Sequence, residues 1–321
     1  MSTEELPGRS RRKTVAVLSI AAFLGVALLT AGVWWKTYRS GQGPSDSSVV
    51  EGTPFSYEYV PPRDPKLAHT YEMVRDMDLF ARLTEIKAVD GMLVLPKPIH
   101  FIAAECQEVN AFYSPPKAEM VLCYELVNDI LAKGKSIAKE EKRDKDFPSL
   151  YLVGALRFVM LHELGHALID QLQLPITGRE ETAADEFAAV VMLQYVDHAE
   201  VRGGVENSIS YAGTYLMPTG NVDGAPAYAD EHEMGEQRYF NLLCMIYGSD
   251  PAGFLSIVTE KGLPEQRASS CPAYSARMMT TWGNLLYPHA ATNRQLSTEE
   301  WEAQVARGRE AQDKNVDQYI R

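Results

Sequence analysis

Residues 162–166 read HELGH, two histidines bracketing a glutamate in a chain with only seven histidines. On a helix, His162 and His166 stand four residues apart and share one face, about one turn from each other. Two imidazoles at that spacing can grip one zinc ion at roughly 2.0–2.1 Å. Glu163 lies between them and projects beside the ion rather than onto it. From there it can take a proton from zinc-bound water, whose pKa falls to about 7 on a catalytic zinc. It can then deliver that proton to a leaving amine. A pair of ordinary core histidines is the competing explanation, but it would bury the glutamate charge without a partner.

A catalytic zinc takes three protein ligands, and geometry narrows the choice of the third. Asp170 lies eight residues beyond His162, about 12 Å of helical rise, too far to share the ion. The longer pattern H-E-x-x-H-x-x-G-x-x-H also fails, because Ile169 and Leu172 occupy its glycine and last-histidine positions. The next helix remains, reached through "QLPITGR" (173–179). There "ETAAD" offers Glu181 and Asp185 on one face. Glu181 completes a set of two histidines and one glutamate. Asp185 can accept a hydrogen bond from the free nitrogen of a ligand histidine and so fix its tautomer. Glu180 and Glu186 are rivals for the ligand position, though neither has an acidic partner one turn downstream. Ala183, Ala184, Ala188 and Ala189 allow the two helices to approach closely, as one shared ion requires.

The elements that must position these groups can be read along the chain. "HTYEMVRDMDLFARLTEIKAV" (69–89) has a helical pattern, and "GMLVLPKPIHFIAAEC" (91–106) suggests strands interrupted by prolines. Two β-rich runs around "SPPK" form a hairpin over 106–123, and a helix follows from about 125 to 141. "FPSLYLVGALRFVMLHELGHALIDQL" is a helix too often interrupted by charge to span a membrane, and its apolar density places it at the centre of the domain. Further helices are expected over 231–247, 273–286 and 297–312, the last opened by a capping box of Ser297 and Glu300. Together these give an α+β domain: a small sheet with an edge hairpin packed on a buried helix, and a largely helical C-terminal part.

The N-terminal region is different in kind. "TVAVLSIAAFLGVALLTAGVWW" (14–35) runs 22 residues without a charge, enough to cross a bilayer as a helix, with Trp34 and Trp35 at the far interface. Basic residues precede it, so residues 1–13 are expected in the cytoplasm and the bulk of the chain outside, behind a single-pass anchor. A cleaved signal peptide is the alternative, disfavoured by the length of the apolar run and the lack of an A-x-A site. Residues 36–60 read as a flexible tether and 61–321 as the folded domain. The formal charge of −12, with most of the basic excess confined to the first 39 residues, argues against nucleic acid as a partner. Four cysteines suit an oxidising compartment. Cys106 and Cys123 are nearly equidistant from the hairpin turn and so pair across it, which leaves Cys244 for Cys271.

H-E-x-x-H followed by E-x-x-x-D on a second helix resembles the gluzincin class of zinc metallopeptidases. More closely, "ECQEVNAFYSP…LCYEL", "HELGHALI", "REETAADEFAA", "DEHEMGEQRYFNLLCMIYGSDP" and "WGNLLYP" resemble a bacterial domain-of-unknown-function family described as metallopeptidases, over roughly residues 65–288. The resemblance implies a zincin-like fold, an exported location, His162, His166 and Glu181 as ligands, and Glu163 as the base. In similar peptidases an edge strand ahead of the zinc helix pairs with the substrate backbone. "VNAFY" (109–113) is the candidate for that strand, with Asn110, Ala111 and Phe112 as substrate-binding residues; an ordinary sheet strand is the alternative. A donor should also stabilise the oxyanion. His232 is placed for this by chain order, with Tyr211, Tyr215 and Arg238 as rivals. The expected function is therefore a membrane-anchored zinc peptidase of the bacterial cytoplasmic membrane, facing the periplasmic side and acting on a peptide or protein. A zinc-stabilised, non-catalytic binding module of the cell envelope is the competing class.

Overall fold

The computed structural model describes residues 50–194, 202–216 and 235–292. The expected membrane span, residues 36–49 of the tether and the helix expected over 297–312 lie outside these described residues.

The chain enters the sheet through β1 (Ser56–Tyr59). The tether expected to reach residue 60 therefore gives way to ordered structure earlier. The physical reason is an alternation confined to four residues: Ser56 and Glu58 face solvent, while Tyr57 and Tyr59 are half-buried against the core. Asp90 fixes this strand, accepting from the Phe55 amide at 2.7 Å and the Tyr57 hydroxyl at 2.8 Å.

The helical pattern over 69–89 is divided into α1 (Ala68–Asp76), α2 (Leu79–Arg82) and α3 (Thr84–Val89). Tyr59 causes the first break. Its hydroxyl donates to Asp78 Oδ1 at 2.8 Å and accepts from the Phe80 amide at 2.9 Å, while Asp78 takes a left-handed φ of 47° that aspartate tolerates better than most residues. Between 91 and 106 the regular strand is β2 (His100–Ala104), with an isolated bridge from Leu93 to Ala290. Pro96 and Pro98 cannot donate to a ladder, which confines the strand to the segment after them.

β3 (Ala111–Ser114) and β4 (Glu119–Cys123) form the expected hairpin. The sheet order is β1-β2-β4-β3, with β1, β2 and β4 parallel and β3 antiparallel at one edge. The chain then turns directly into α4 (Tyr124–Glu140) and α5 (Phe147–Leu172). It continues through α6 (Glu180–Gln194), α7 (Arg202–Leu216), α8 (Gly235–Ser249), the short α9 (Ser256–Thr259) and α10 (Glu265–Ala268), and α11 (Cys271–Leu286).

The 26-residue α5 is the axis of the domain, packed by α4, α6, α7 and the sheet. Among the described residues it is the one helix long and apolar enough to cross a bilayer, but most of it is buried inside the domain. Its buried charge is paired: Arg157 Nε donates to both oxygens of Glu85 on α3 at 3.0 Å, and Nη1 donates to Ser208 on α7 at 3.1 Å. A buried ion pair adds little net stability, but removing one partner would strand the other. Both expected disulfides form, Cys244–Cys271 between α8 and α11 and Cys106–Cys123 at the end of β4. Cys106, however, lies in the loop after β2 and not on the hairpin strand, whose position opposite Cys123 is taken by Asn110.

Candidate metal centre

The i, i+4 spacing on α5 brings His162 and His166 onto one face, with their Nε2 atoms 3.2 Å apart. The third group comes from α6. Glu181 places Oε2 at 3.2 Å from His162 Nε2 and Oε1 at 3.4 Å from His166 Nε2. One donor atom from each of the three residues lies within 4.8 Å of the other two.

This convergence depends on a close approach of α5 and α6. A Cβ added at Gly165 would stand 3.0 Å from Ala184 Cα, so glycine on one helix and alanine on the other set the distance. The turn between the helices starts from a left-handed Gln173 (φ 49°), with the Leu174 amide donating to the Ile169 carbonyl at 3.0 Å. Glu180 and Glu181 then fall in the first turn of α6, where the helix dipole favours carboxylates.

The far side of each imidazole faces a carboxylate. His162 Nδ1 donates to Asp185 Oδ1 at 2.8 Å, and His166 Nδ1 donates to Glu180 Oε1 at 2.8 Å. A carboxylate opposite Nδ1 holds the proton there and leaves the Nε2 lone pair for a cation. Asp185 is itself clamped by Arg238, whose Nε and Nη2 donate to Oδ2 and Oδ1, each at 2.8 Å. Burial would raise the Asp185 pKa, but the Arg238 and His162 hydrogen bonds outweigh it and hold the carboxyl below its ordinary range. Burial would lower His166, yet hydrogen bonds to Glu181 and Glu180 push it up to about 9; His162 is raised in the same way by Asp185 and Glu181. Once their Nε2 protons are displaced, two imidazole nitrogens and a carboxylate aimed at one point are the donor set of a zinc-type site, so the residues present fit a divalent ion.

Glu163 is not part of the convergence. Its Oε2 accepts the Tyr113 amide of β3 at 3.0 Å. Burial raises its pKa, with the two histidines pulling the other way. The strand's pairing parity explains that contact. The Cys123 amide donates to the Asn110 carbonyl at 3.2 Å, and the register pairs Phe112 with Val121, so the Asn110 carbonyl and the Phe112 backbone groups turn to β4. Ala111 and Tyr113 turn theirs to the open edge.

Along that edge runs a cleft of about 840 Å³, lined by Asn110, Ala111 and Phe112 on one wall, by Phe158, Val159, Tyr215 and Leu216 elsewhere, and by His162, Glu163, His166 and Glu181. The three expected substrate-binding residues thus share one cleft with the metal-binding candidates. By parity, Ala111 presents backbone groups there, whereas Phe112 offers its side chain and the Asn110 carbonyl is already taken by Cys123.

His232 lies outside the described residues. Of its rivals, Tyr211 packs against Phe147 and Tyr151 and does not line the cleft. Tyr215 lines it, with its hydroxyl donated to Asp129 at 2.8 Å. Arg238 lines it too, and is committed to Asp185. Glu186 is hydrogen-bonded by Tyr274 on α11, away from the convergence point. Three contacts were not legible in the sequence: Glu180 on His166, the Tyr113 amide on Glu163, and Arg238 on Asp185. Each joins segments with no fixed spacing, so no local pattern could have found them.

A family model described as "Putative metallopeptidase" matches residues 59–286, more than half of the chain. No curated protein and no solved structure matches it.

Proposed function

Because the chain belongs to that metallopeptidase family, we propose that it is a zinc peptidase of zincin-like fold, hydrolysing peptide bonds with Glu163 as the proton carrier. The single observation that carries this reading is the convergence of His162, His166 and Glu181 beside a carboxylate that takes no part in it.

His162, His166 and Glu181 would hold the ion. When bound, zinc supplies Lewis acidity, polarising a carbonyl and lowering the pKa of water. The remaining work belongs to the chain. The Tyr113 amide holds Glu163 Oε2, and the Glu163 side chain lines the cleft. Burial makes Glu163 a stronger base than an exposed carboxylate. It takes one proton from the attacking water as the new C–O bond forms, then gives it to the leaving nitrogen as the C–N bond breaks. The outward amide and carbonyl of Ala111 are positioned to pair with an extended peptide, which fixes the scissile bond relative to Glu163. Asp185, backed by Arg238, keeps the His162 ring from turning.

We place residues 14–35 in the bacterial cytoplasmic membrane, with residues 1–13 inside and the peptidase domain on the periplasmic side. The uncharged 22-residue run and the two disulfides, which persist in oxidising compartments, support this placement.

Digestion of a broad peptide library with wild type and Glu163→Gln tests the mechanism. The expected result is cleavage by wild type and a loss of rate of at least about 10²-fold in the variant, the low end for removing a general base. Equal cleavage by both proteins excludes Glu163 as the base. Metal-loaded wild type that cleaves no peptide would favour the alternative, a zinc-stabilised binding module.

A further inference from the structure

The carboxylate of Glu180 stands next to a ligand in sequence and across the ring from it in space. Glu181 Oε1 lies 3.4 Å from His166 Nε2, and Glu180 Oε1 lies 2.8 Å from Nδ1 of the same ring. Two consecutive residues in the first turn of α6 therefore straddle one imidazole. We propose that Glu180 is a positioning residue for the metal, holding His166 with Nδ1 protonated and Nε2 aimed at the ion. The inference rests on the metallopeptidase reading.

The geometry assigns the two neighbours different work. Consecutive helical residues project about 100° apart, so both cannot reach the same edge of a ring. Glu181 bridges toward both histidines from the Nε2 side. Glu180 contacts only the Nδ1 side of His166.

The two outer carboxylates also differ. Asp185 is 8% exposed and divides its hydrogen bonding between His162 and Arg238. Glu180 is 52% exposed and holds the more accessible of the two rings, since His166 is 16% exposed against 7% for His162. The His162 ring is walled in by Phe158 stacked beside it. For His166, closer to solvent, the Nδ1 contact takes a larger share in fixing the ring. A water molecule could replace it as an acceptor, but without a fixed position and without the negative charge that raises the basicity of a ligand nitrogen.

The test is a competition titration of Zn²⁺ between the full-length protein in detergent and a chromophoric chelator at neutral pH. Wild type, Glu180→Ala, Glu180→Gln and Glu181→Gln are compared, with circular dichroism to check that each is folded. Because Glu180 is solvent-facing, its substitution leaves the core intact. Glu180→Ala should bind zinc about 10–100-fold more weakly than wild type, the usual cost of losing the outer partner of a ligand histidine. Glu180→Gln should recover part of that loss, because its amide oxygen still accepts the Nδ1 proton. Glu181→Gln should fall below both. An alanine variant that binds as wild type does, a glutamine variant no better than alanine, or a Glu181→Gln protein that binds more tightly than Glu180→Gln overturns the assignment. Wild-type protein that takes up no zinc removes the underlying reading, and this inference with it.

Discussion

His166 sits between two carboxylates, and its protonation links metal uptake to pH. Burial opposes its positive charge, but Glu181 and Glu180 more than compensate and raise its pKa from 6.5 to about 9. Without metal, a raised histidine pKa stabilises the fold fully below pH 6.5, and that contribution disappears as pH rises through about 9. Zinc needs the neutral ring, so its binding runs in the opposite sense. Chelator competition should show zinc affinity climbing by roughly a decade per pH unit between 6.5 and 9 for each proton displaced, then flattening. An affinity independent of pH across that window would contradict protonated histidines in the free site. At this scale the sequence was informative where spacing is local. His162 and His166 are four residues apart on any helix, and Glu181 with Asp185 repeats that spacing on the next. Glu180, Tyr113 and Arg238 carry no such signature, because their roles come from how α6, β3 and α8 dock against α5.

The helices that carry His162, His166 and Glu181 approach each other closely, and Gly165 against Ala184 makes this possible. In an isolated helix, replacing glycine by alanine stabilises by about 1 kcal/mol. At Gly165 the added carbon would press on backbone at 3.0 Å, so packing opposes propensity. Gly165→Val should push α6 outward, cost about 1–3 kcal/mol by overpacking, and lower zinc affinity with it. Denaturant unfolding and metal titration on the same protein check both effects; unchanged values in each would mean that the helix spacing is not set here. Apolar pattern was enough to recognise α4, α5 and α6, and two β-rich runs around the SPPK turn were enough for the β3–β4 hairpin. Apolar pattern was not enough for residues 69–89, where one helical pattern is divided into three pieces and Tyr59 from a distant strand makes the first break. It also passed over β1, whose four alternating residues follow directly on a Gly/Ser/Pro-rich stretch.

Across the whole domain, a continuous core runs from the sheet through α5 to the C-terminal helices, and two disulfides close loops over it. Cys244–Cys271, with a sequence separation of 27, should contribute about 3–4 kcal/mol by restricting the unfolded chain. The double variant Cys244→Ser/Cys271→Ser should lose that amount in denaturant unfolding; a loss near zero would show that the packing of α8 on α11 suffices alone. The pairing of all four cysteines was expected correctly, but Cys106 reaches Cys123 from the loop after β2, a parallel neighbour of β4, and not as its cross-strand partner in the hairpin. The order of the sheet was not legible, since parallel neighbours such as β1 and β2 are set by crossovers that leave no local trace. Peptidase chemistry in this cleft requires one ion held by residues from two helices, with Glu163 uncoordinated. The most direct test of that requirement is the zinc content of purified wild type, His162→Ala and Glu163→Gln by elemental analysis. One zinc per chain in wild type and in Glu163→Gln, and its loss from His162→Ala, is the predicted result; zinc retained without His162, or lost with the Glu163 carboxylate, would contradict it.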